Sequence, residues 1–218
     1  MNNFFKYNGN SEMYSDSLPD RIAKHLLHNI FSGKYKQGDR IIEADIAKEL
    51  QVSHAPVREA LYLLQKDGVV ERLPRKGVKV KSFTKKELID YSIALVDLIE
   101  KALDICEKKW TDIHQNRLQQ YFNELTEQKE QGRIFEYVQK LSQFLNYFFV
   151  VADNAAYTRF FLQATFTTNV VAQELWNTDK GRVNRYNALM EKTVESIRNN
   201  DFHSAKKLMR EAFHMSLT

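Results

Sequence analysis

The chain has one cysteine, Cys106. A lone thiol cannot build a disulfide framework, and no C-x-x-C pair is available for metal or redox chemistry. This usage fits a reducing compartment, and Cys106 reads as a small buried apolar residue. Glycine and proline are also scarce, seven and three in 218 residues, so long irregular loops are not expected and helix is favoured. The longest apolar stretch, YFFVVA around residues 147–152, falls far short of the ~20 residues that cross a bilayer. The opening MNNFFKYNGNSEMYSDS lacks the basic-then-apolar order of a secretory signal. The expectation is a soluble, cytoplasmic protein with no membrane partner. Catalytic signatures are missing too. There is no Gly-rich phosphate loop, no H-E-x-x-H, no G-x-S-x-G and no Cys/His pairing at useful spacing, so no enzyme is expected.

What is present is an uneven distribution of charge. Residues 1–82 carry 14 Lys and Arg against 10 Asp and Glu, whereas the remainder carries 18 of each. From Arg72 to Lys86 there are seven basic residues and no acidic one. Such a stripe attracts polyanions and points to nucleic acid, although charge alone is equally that of a solvated surface.

Hydrophobic spacing divides the chain. Residues 1–16 are polar and read as a disordered tail. Leu18, Ile22, Leu26 and Ile30 share one helical face, which ends at Gly33. The loop KYKQGDR precedes a short helix over residues 43–50, with Ile46 and Leu50 inward. Ser53 fits an N-cap whose hydroxyl accepts a first-turn N–H, and Pro56 takes the third helical position, where its missing N–H costs nothing. Val57, Leu61 and Leu64 form the inward face of this third helix, which Gly68 stops. Val69 and Val70 begin a strand, LPRKG turns it, and Val78 and Val80 alternate with Lys79 and Lys81 in a second strand with a basic face. From Thr84 every pattern is helical. One long helix runs over residues 84–110, with Thr84 and Glu87 forming a capping box. Further helices follow over 112–130, 133–152, 155–176, 181–199 and 202–216.

Three short helices closed by a basic two-stranded hairpin is the winged helix-turn-helix plan, in which the second helix of the pair enters the major groove by its N-terminal end. That end is Ser53, His54, Ala55 and Pro56, with Arg58 one turn in. Arg and His donate to guanine acceptors, and a helix start with a serine binds phosphate. The wing tip, Arg75, Lys76 and Gly77, is placed over the backbone or the adjacent minor groove, with Gly77 at a position requiring positive φ. The fold class is therefore mainly α: a winged helix-turn-helix (three helices plus a two-stranded wing) over 17–82, then an all-α bundle over 83–218.

The run GDRIIEADIAKELQVSHAPVREALYLLQKDGVVERLPRKGVKV closely resembles the N-terminal domain of the GntR family of bacterial transcription regulators, above all in VSHAPVREAL and the DGVV after it. The likeness covers about residues 18–82. It implies a sequence-specific DNA-binding regulator, a dimer on a palindromic double-stranded operator, and DNA contact or its geometry at Ser53, His54, Pro56, Arg58, Arg75, Lys76 and Gly77. His54 stands where the family usually has Arg, which implies a different operator. Arg58 has a plainer alternative, a salt bridge to Glu59, Glu43 or Asp67.

The helical remainder is similar to the FadR-type (FCD) branch, an effector-binding and dimerising domain, most clearly in IRNNDFHSAKKLMREAF. Many of that branch hold a divalent metal on an Asp and three His. Register from Asn154 and Asp201 places Leu141, Leu145, Met190 and Ala212 at those positions. All four are apolar, so no metal and no other cofactor is expected. His203 and His214 occupy none of the four. Two readings remain for the interior. One is a pocket for a small apolar effector, such as an acyl chain, lined by Leu141, Leu145, Phe148, Phe149, Phe160, Phe166, Met190, Val194 and Ala212. Asn146, Thr165, Asn169 and Gln173 would be its polar points. The other is a packed core with no effector, in a regulator or an adaptor.

Overall fold

A computed structural model of the chain describes residues 17–73 and 77–217. The tail over residues 1–16 and the wing-tip residues Pro74, Arg75 and Lys76 lie outside them. The described residues divide into two compact units, the division falling between Thr84 and Lys85.

In the first unit, α1 (Leu18–Phe31) starts at Ser17, whose hydroxyl accepts from Asp20 N. Ile22, Ala23, Leu26, Leu27, Ile30 and Phe31 are buried, but Leu18 is 44% exposed and not on the inward face. The helix begins at Leu18, so no preceding turn covers it. Helix α2 (Glu43–Leu50) buries Ile46 and Ala47, while Leu50 in its last turn is only half-buried. Glu49 ties α2 to α1, taking Lys34 Nζ at 2.8 Å and His25 Nε2 at 3.2 Å. Helix α3 (His54–Lys66) buries Val57, Ala60, Leu61 and Leu64 and packs on α1.

The sheet has three strands, not two: β1 (Arg40–Ile41), β2 (Val70–Leu73) and β3 (Gly77–Val80), antiparallel in the order β1-β3-β2. Strand β1 falls at the end of the expected loop, and two residues carry no two-residue period in the sequence. It is held by pairing, Ile41 opposite Val78 and Arg40 opposite Lys79. Gly38 N donates to Val80 O, and Val80 N to Asp39 O. Glu71 opposes Lys79 across β2 and β3.

The second unit is all helical: α4 (Lys85–Cys106), α5 (Asp112–Glu130), α6 (Ile134–Ala152), α7 (Ala155–Thr178), α8 (Lys180–Arg198) and α9 (Phe202–Leu217). Helix α4 stops a turn short of the expected residue 110. Trp110 leaves the helix to pack its ring against Phe148 and Phe202, with centroids 6.2 and 5.8 Å away. Lys109 Nζ donates to Ala152 O, closing the end of α6. On α7 it is Phe161, stacked on Phe149 at 4.4 Å, that points inward. Phe160, expected in the interior, is 54% exposed. One residue is about 100° of helix rotation, so a single-step error in phase exchanges core for solvent. The Phe166 side chain lies outside what is described. Among the described residues, no helix is long and apolar enough to cross a membrane.

Ion pairs fasten α9 along the C-terminal half of α4. Lys206 Nζ lies 2.7 Å from Asp104 Oδ1, and Arg210 donates to both oxygens of Glu100 at 2.9 and 2.7 Å.

Two outcomes test this packing. Leu103 is fully buried, so Leu103→Ala should cost about 2–5 kcal/mol, read from the urea midpoint at unchanged slope. The hydrogen bond from Lys206 holds the Asp104 carboxyl below the usual carboxylate range. Its contribution is therefore complete above the unfolded carboxylate pKa and fades as pH falls through the lowered native value. Lys206→Met should remove that part of the acid dependence, under about 1 kcal/mol for so exposed a pair.

Candidate nucleic-acid interface and a cavity in the helical unit

Burial of one face of α3 decides where its other face looks. With Val57, Ala60, Leu61 and Leu64 inward, the exposed residues are Ser53, His54, Ala55, Arg58, Glu59 and Tyr62, with Gln65 and Lys66 at the far end; Pro56 is half-buried. The sequence reading missed Tyr62, 65% exposed one turn beyond Arg58. The i, i+4 spacing from Arg58 was the available signal.

Ser53 occupies the N-cap with extended backbone (φ −73°, ψ 166°), yet its hydroxyl makes no capping bond. This corrects the expected cap. A cap oxygen accepts from the second or third helical N–H, and the third residue is Pro56, which has none. Ser53 is left exposed and without a partner among the described residues. No acidic residue sits in the first turn of α3, so the positive end of the helix dipole is not neutralised there. Exposed N–H groups, an unengaged hydroxyl and a partial positive charge together suit a phosphate oxygen.

Arg58 is both exposed and paired. Its Nε donates to Glu43 Oε2 at 2.7 Å, while its side chain stays 64% exposed. Glu43 is thus the one of the three foreseen acids that takes it. Anchoring through Nε leaves the two terminal nitrogens, donors able to match guanine O6 and N7, without an ion-pair partner among the described residues. In the wing, Gly77 has φ +86°, the left-handed region anticipated for it. The basic stripe is partly compensated: Lys79 Nζ sits 2.8 Å from Glu71, and Lys86 Nζ sits 2.6 Å from Asp90. Arg75 and Lys76 lie outside the described residues.

In the helical unit a cavity of about 50 Å³ lies between α4, α6 and α7, closed by Tyr186 of α8 and Phe213 of α9. Leu141, Leu145, Asn169 and Thr165 are among the residues that line it. Met190 and Ala212 do not. They are fully buried in the core, because helical phase turns them away from the space that Leu141 and Leu145 face. Phe148, Phe149 and Val194 are likewise core, and Asn146 and Gln173 are buried outside the lining. Leu88, Ser92 and Leu95 of α4 and Trp176 of α7 were not anticipated in the lining. Asn169 Nδ2 donates to Ser142 Oγ at 2.7 Å, and that hydroxyl donates to Val138 O at 3.0 Å. Among the described residues, Thr165 Oγ1 and Trp176 Nε1 are buried without a hydrogen-bond partner. Among the described residues, no three His, Cys, Asp or Glu side chains converge as a metal site would require.

Comparison with known proteins bears on both units. The family model for bacterial regulatory proteins, gntR family, matches residues 18–80. The HTH-type transcriptional regulator YdhC of Bacillus subtilis (strain 168) is 33% identical over 165 residues, covering 63% of this chain and 74% of that protein. The solved structure of E. coli McbR/YncC aligns with a TM-score of 0.79 at 18% identity, over 92% of this chain and 95% of that one. A GntR transcriptional regulator from Rhodococcus sp. RHA1 aligns with a TM-score of 0.80 at 17% identity, over 90% and 93%. At such identities the two structures speak for the fold alone.

The tip geometry sets a double test. Arg58→Ala should weaken binding to a selected duplex by about 1–3 kcal/mol and relax base preference at one position. Glu43→Gln removes the carboxylate that fixes Arg58. It should tighten binding to a scrambled duplex while narrowing the ratio between selected and scrambled sequences. Fluorescence anisotropy on both duplexes reads the ratio, and an unchanged ratio in both variants would remove Arg58 from base reading.

Proposed function

The chain belongs to the gntR family of bacterial regulatory proteins and is a transcription regulator, not an enzyme; from that premise we propose that it works in the cytoplasm as a homodimer on a palindromic double-stranded operator. Residues 17–82 are the DNA-binding part. In this reading Ser53, His54, Ala55 and Pro56 bring the tip of α3 into the major groove, Arg58 reads a base, and Arg75, Lys76 and Gly77 grip alongside. The observation that carries it is the uncovered tip: Ser53, His54, Ala55 and Arg58 are all exposed at one helix end. One winged helix spans a short half-site, so a twofold pair reads an inverted repeat.

Residues 83–218 serve as a sensor and dimerisation part of the FadR-type (FCD) branch. It works without a metal, since Leu141, Leu145 and Ala212 offer a dication no lone pair and Met190 only a neutral, soft thioether sulfur. The effector site is the cavity beside Leu141, Leu145 and Asn169, and its volume of about 50 Å³ argues for a small molecule over an acyl chain. An effector acts only through different affinities for two arrangements of the dimer. A second reading, a packed core with no effector, is favoured by the complete burial of Met190 and Ala212.

Selection from random duplexes followed by sedimentation of the complex tests the proposal. The expected result is an enriched inverted repeat bound by two chains, with log affinity falling linearly against log salt. Enrichment of no sequence would leave an adaptor, and one chain per site would remove the dimer.

A further inference from the structure

The packing of α3 leaves out one large side chain. Tyr62 is 65% exposed, and among the described residues neither its hydroxyl nor its ring has a partner. Each residue turns a helix by about 100°. With Val57, Ala60, Leu61 and Leu64 inward, the opposite side carries Ala55, Glu59, Tyr62 and Lys66, all exposed. Tyr62 thus stands on the outermost line of the helix, and Arg58 lies to one flank of that line. Tyr62 also walls an open groove of about 470 Å³ between α3 and the start of α1. Asp20 and Glu59 border the same groove, yet neither carboxylate takes the phenol O–H, which stays an unengaged donor. The groove leaves the hydroxyl within reach of something as bulky as a sugar–phosphate strand.

Height along the helix decides what that donor meets. At about 1.5 Å per residue, Arg58 lies about 6 Å from His54, the first helical residue, and Tyr62 about 12 Å. The major groove is about 8.5 Å deep. A helix that enters by its tip therefore holds His54 to Arg58 at the level of the base edges. Tyr62 comes to the rim, where the phosphates stand. Tyrosine is among the side chains that donate to phosphate oxygens, and with two side-chain torsions it costs little to order.

We propose that the Tyr62 hydroxyl donates a hydrogen bond to a backbone phosphate at the edge of the major groove, adding a hold on DNA that is blind to sequence. The proposal rests on the reading given above, that the tip of α3 enters that groove. Two properties set this contact apart. A phosphate contact carries no base information. A neutral donor releases no counterion, unlike a lysine or arginine in the same place.

Tyr62→Phe keeps the ring and removes only the O–H. It should weaken binding to the selected duplex and to a scrambled one alike, about tenfold for each half-site engaged. The slope of log affinity against log salt should stay that of the wild type, and Tm should not move, because the hydroxyl has no partner within the protein. Single methylphosphonate substitutions along the selected duplex then locate the contact. At one position in each half-site the wild type should lose affinity and Tyr62→Phe lose much less, since the bond is already gone. Unchanged affinity for both duplexes would make the phenol a bystander. An altered ratio between the duplexes would place it on a base edge, and a lowered Tm would make its role structural. Each of these, or a methylphosphonate scan with no such position, overturns the proposal. Base preference that relaxes in Arg58→Ala while Tyr62→Phe stays silent removes the phosphate contact alone. A wild-type protein that enriches no sequence removes the groove reading and this contact with it.

Discussion

Everything the first unit presents to its surroundings depends on the burial of four side chains, Val57, Ala60, Leu61 and Leu64, against α1. Apolar burial is not directional, but a helix is, and fixing one face fixes the other. Rotating α3 by one residue would bring Arg58 toward the core and expose a leucine. The outward set of His54, Ala55, Arg58 and Tyr62 is thus the complement of a packing solution. The pair between Glu43 and Arg58 refines the aim of one side chain within that constraint.

How much was legible in the sequence follows from the same physics. Helices α2, α3 and α5 to α9 were readable because each carries a 3.6-residue period over two turns or more. Strand β1 was not, since two residues define no period and its place comes from partners some forty residues away. The end of α4 was hidden because Trp110 is pulled out by rings from α6 and α9, a tertiary effect. The failed Ser53 cap was legible in principle, as Pro56 removes one of the two N–H groups a cap oxygen can reach. In the helical unit, of the four positions that register picks out, Leu141 and Leu145 border the cavity while Met190 and Ala212 do not. Position along a helix gives a level in the bundle, whereas the shape of an empty space depends on all five helices that border it.

The helical unit also keeps polar groups where apolar ones would pack as well. Besides Thr165 and Trp176, Tyr137 Oη, Asn146 Oδ1 and Gln173 Oε1 are buried with no hydrogen-bond partner among the described residues, all on α6 and α7. Desolvating a donor or acceptor and leaving it unpaired costs about 1–3 kcal/mol. The contrast with Asn169 and Ser142, which satisfy each other within 2.7 Å, shows that the interior pairs its polar groups where geometry permits. The cost is concentrated in two of the five helices that border the cavity.

The pairs from α9 to Glu100 and Asp104 hold the far half of α4, and each has one half that is more covered: Arg210 is 59% exposed against 20% for Glu100, and Asp104 42% against 23% for Lys206. At physiological ionic strength fields between exposed charges decay over about 8 Å, and at 1 M over about 3 Å. Added electrolyte therefore loosens this seam, whose charges sit 2.7 Å apart, far less than it weakens a DNA-binding head's hold on phosphates. The ionic medium of a binding assay thus acts mainly through the DNA contacts and leaves the helical body standing.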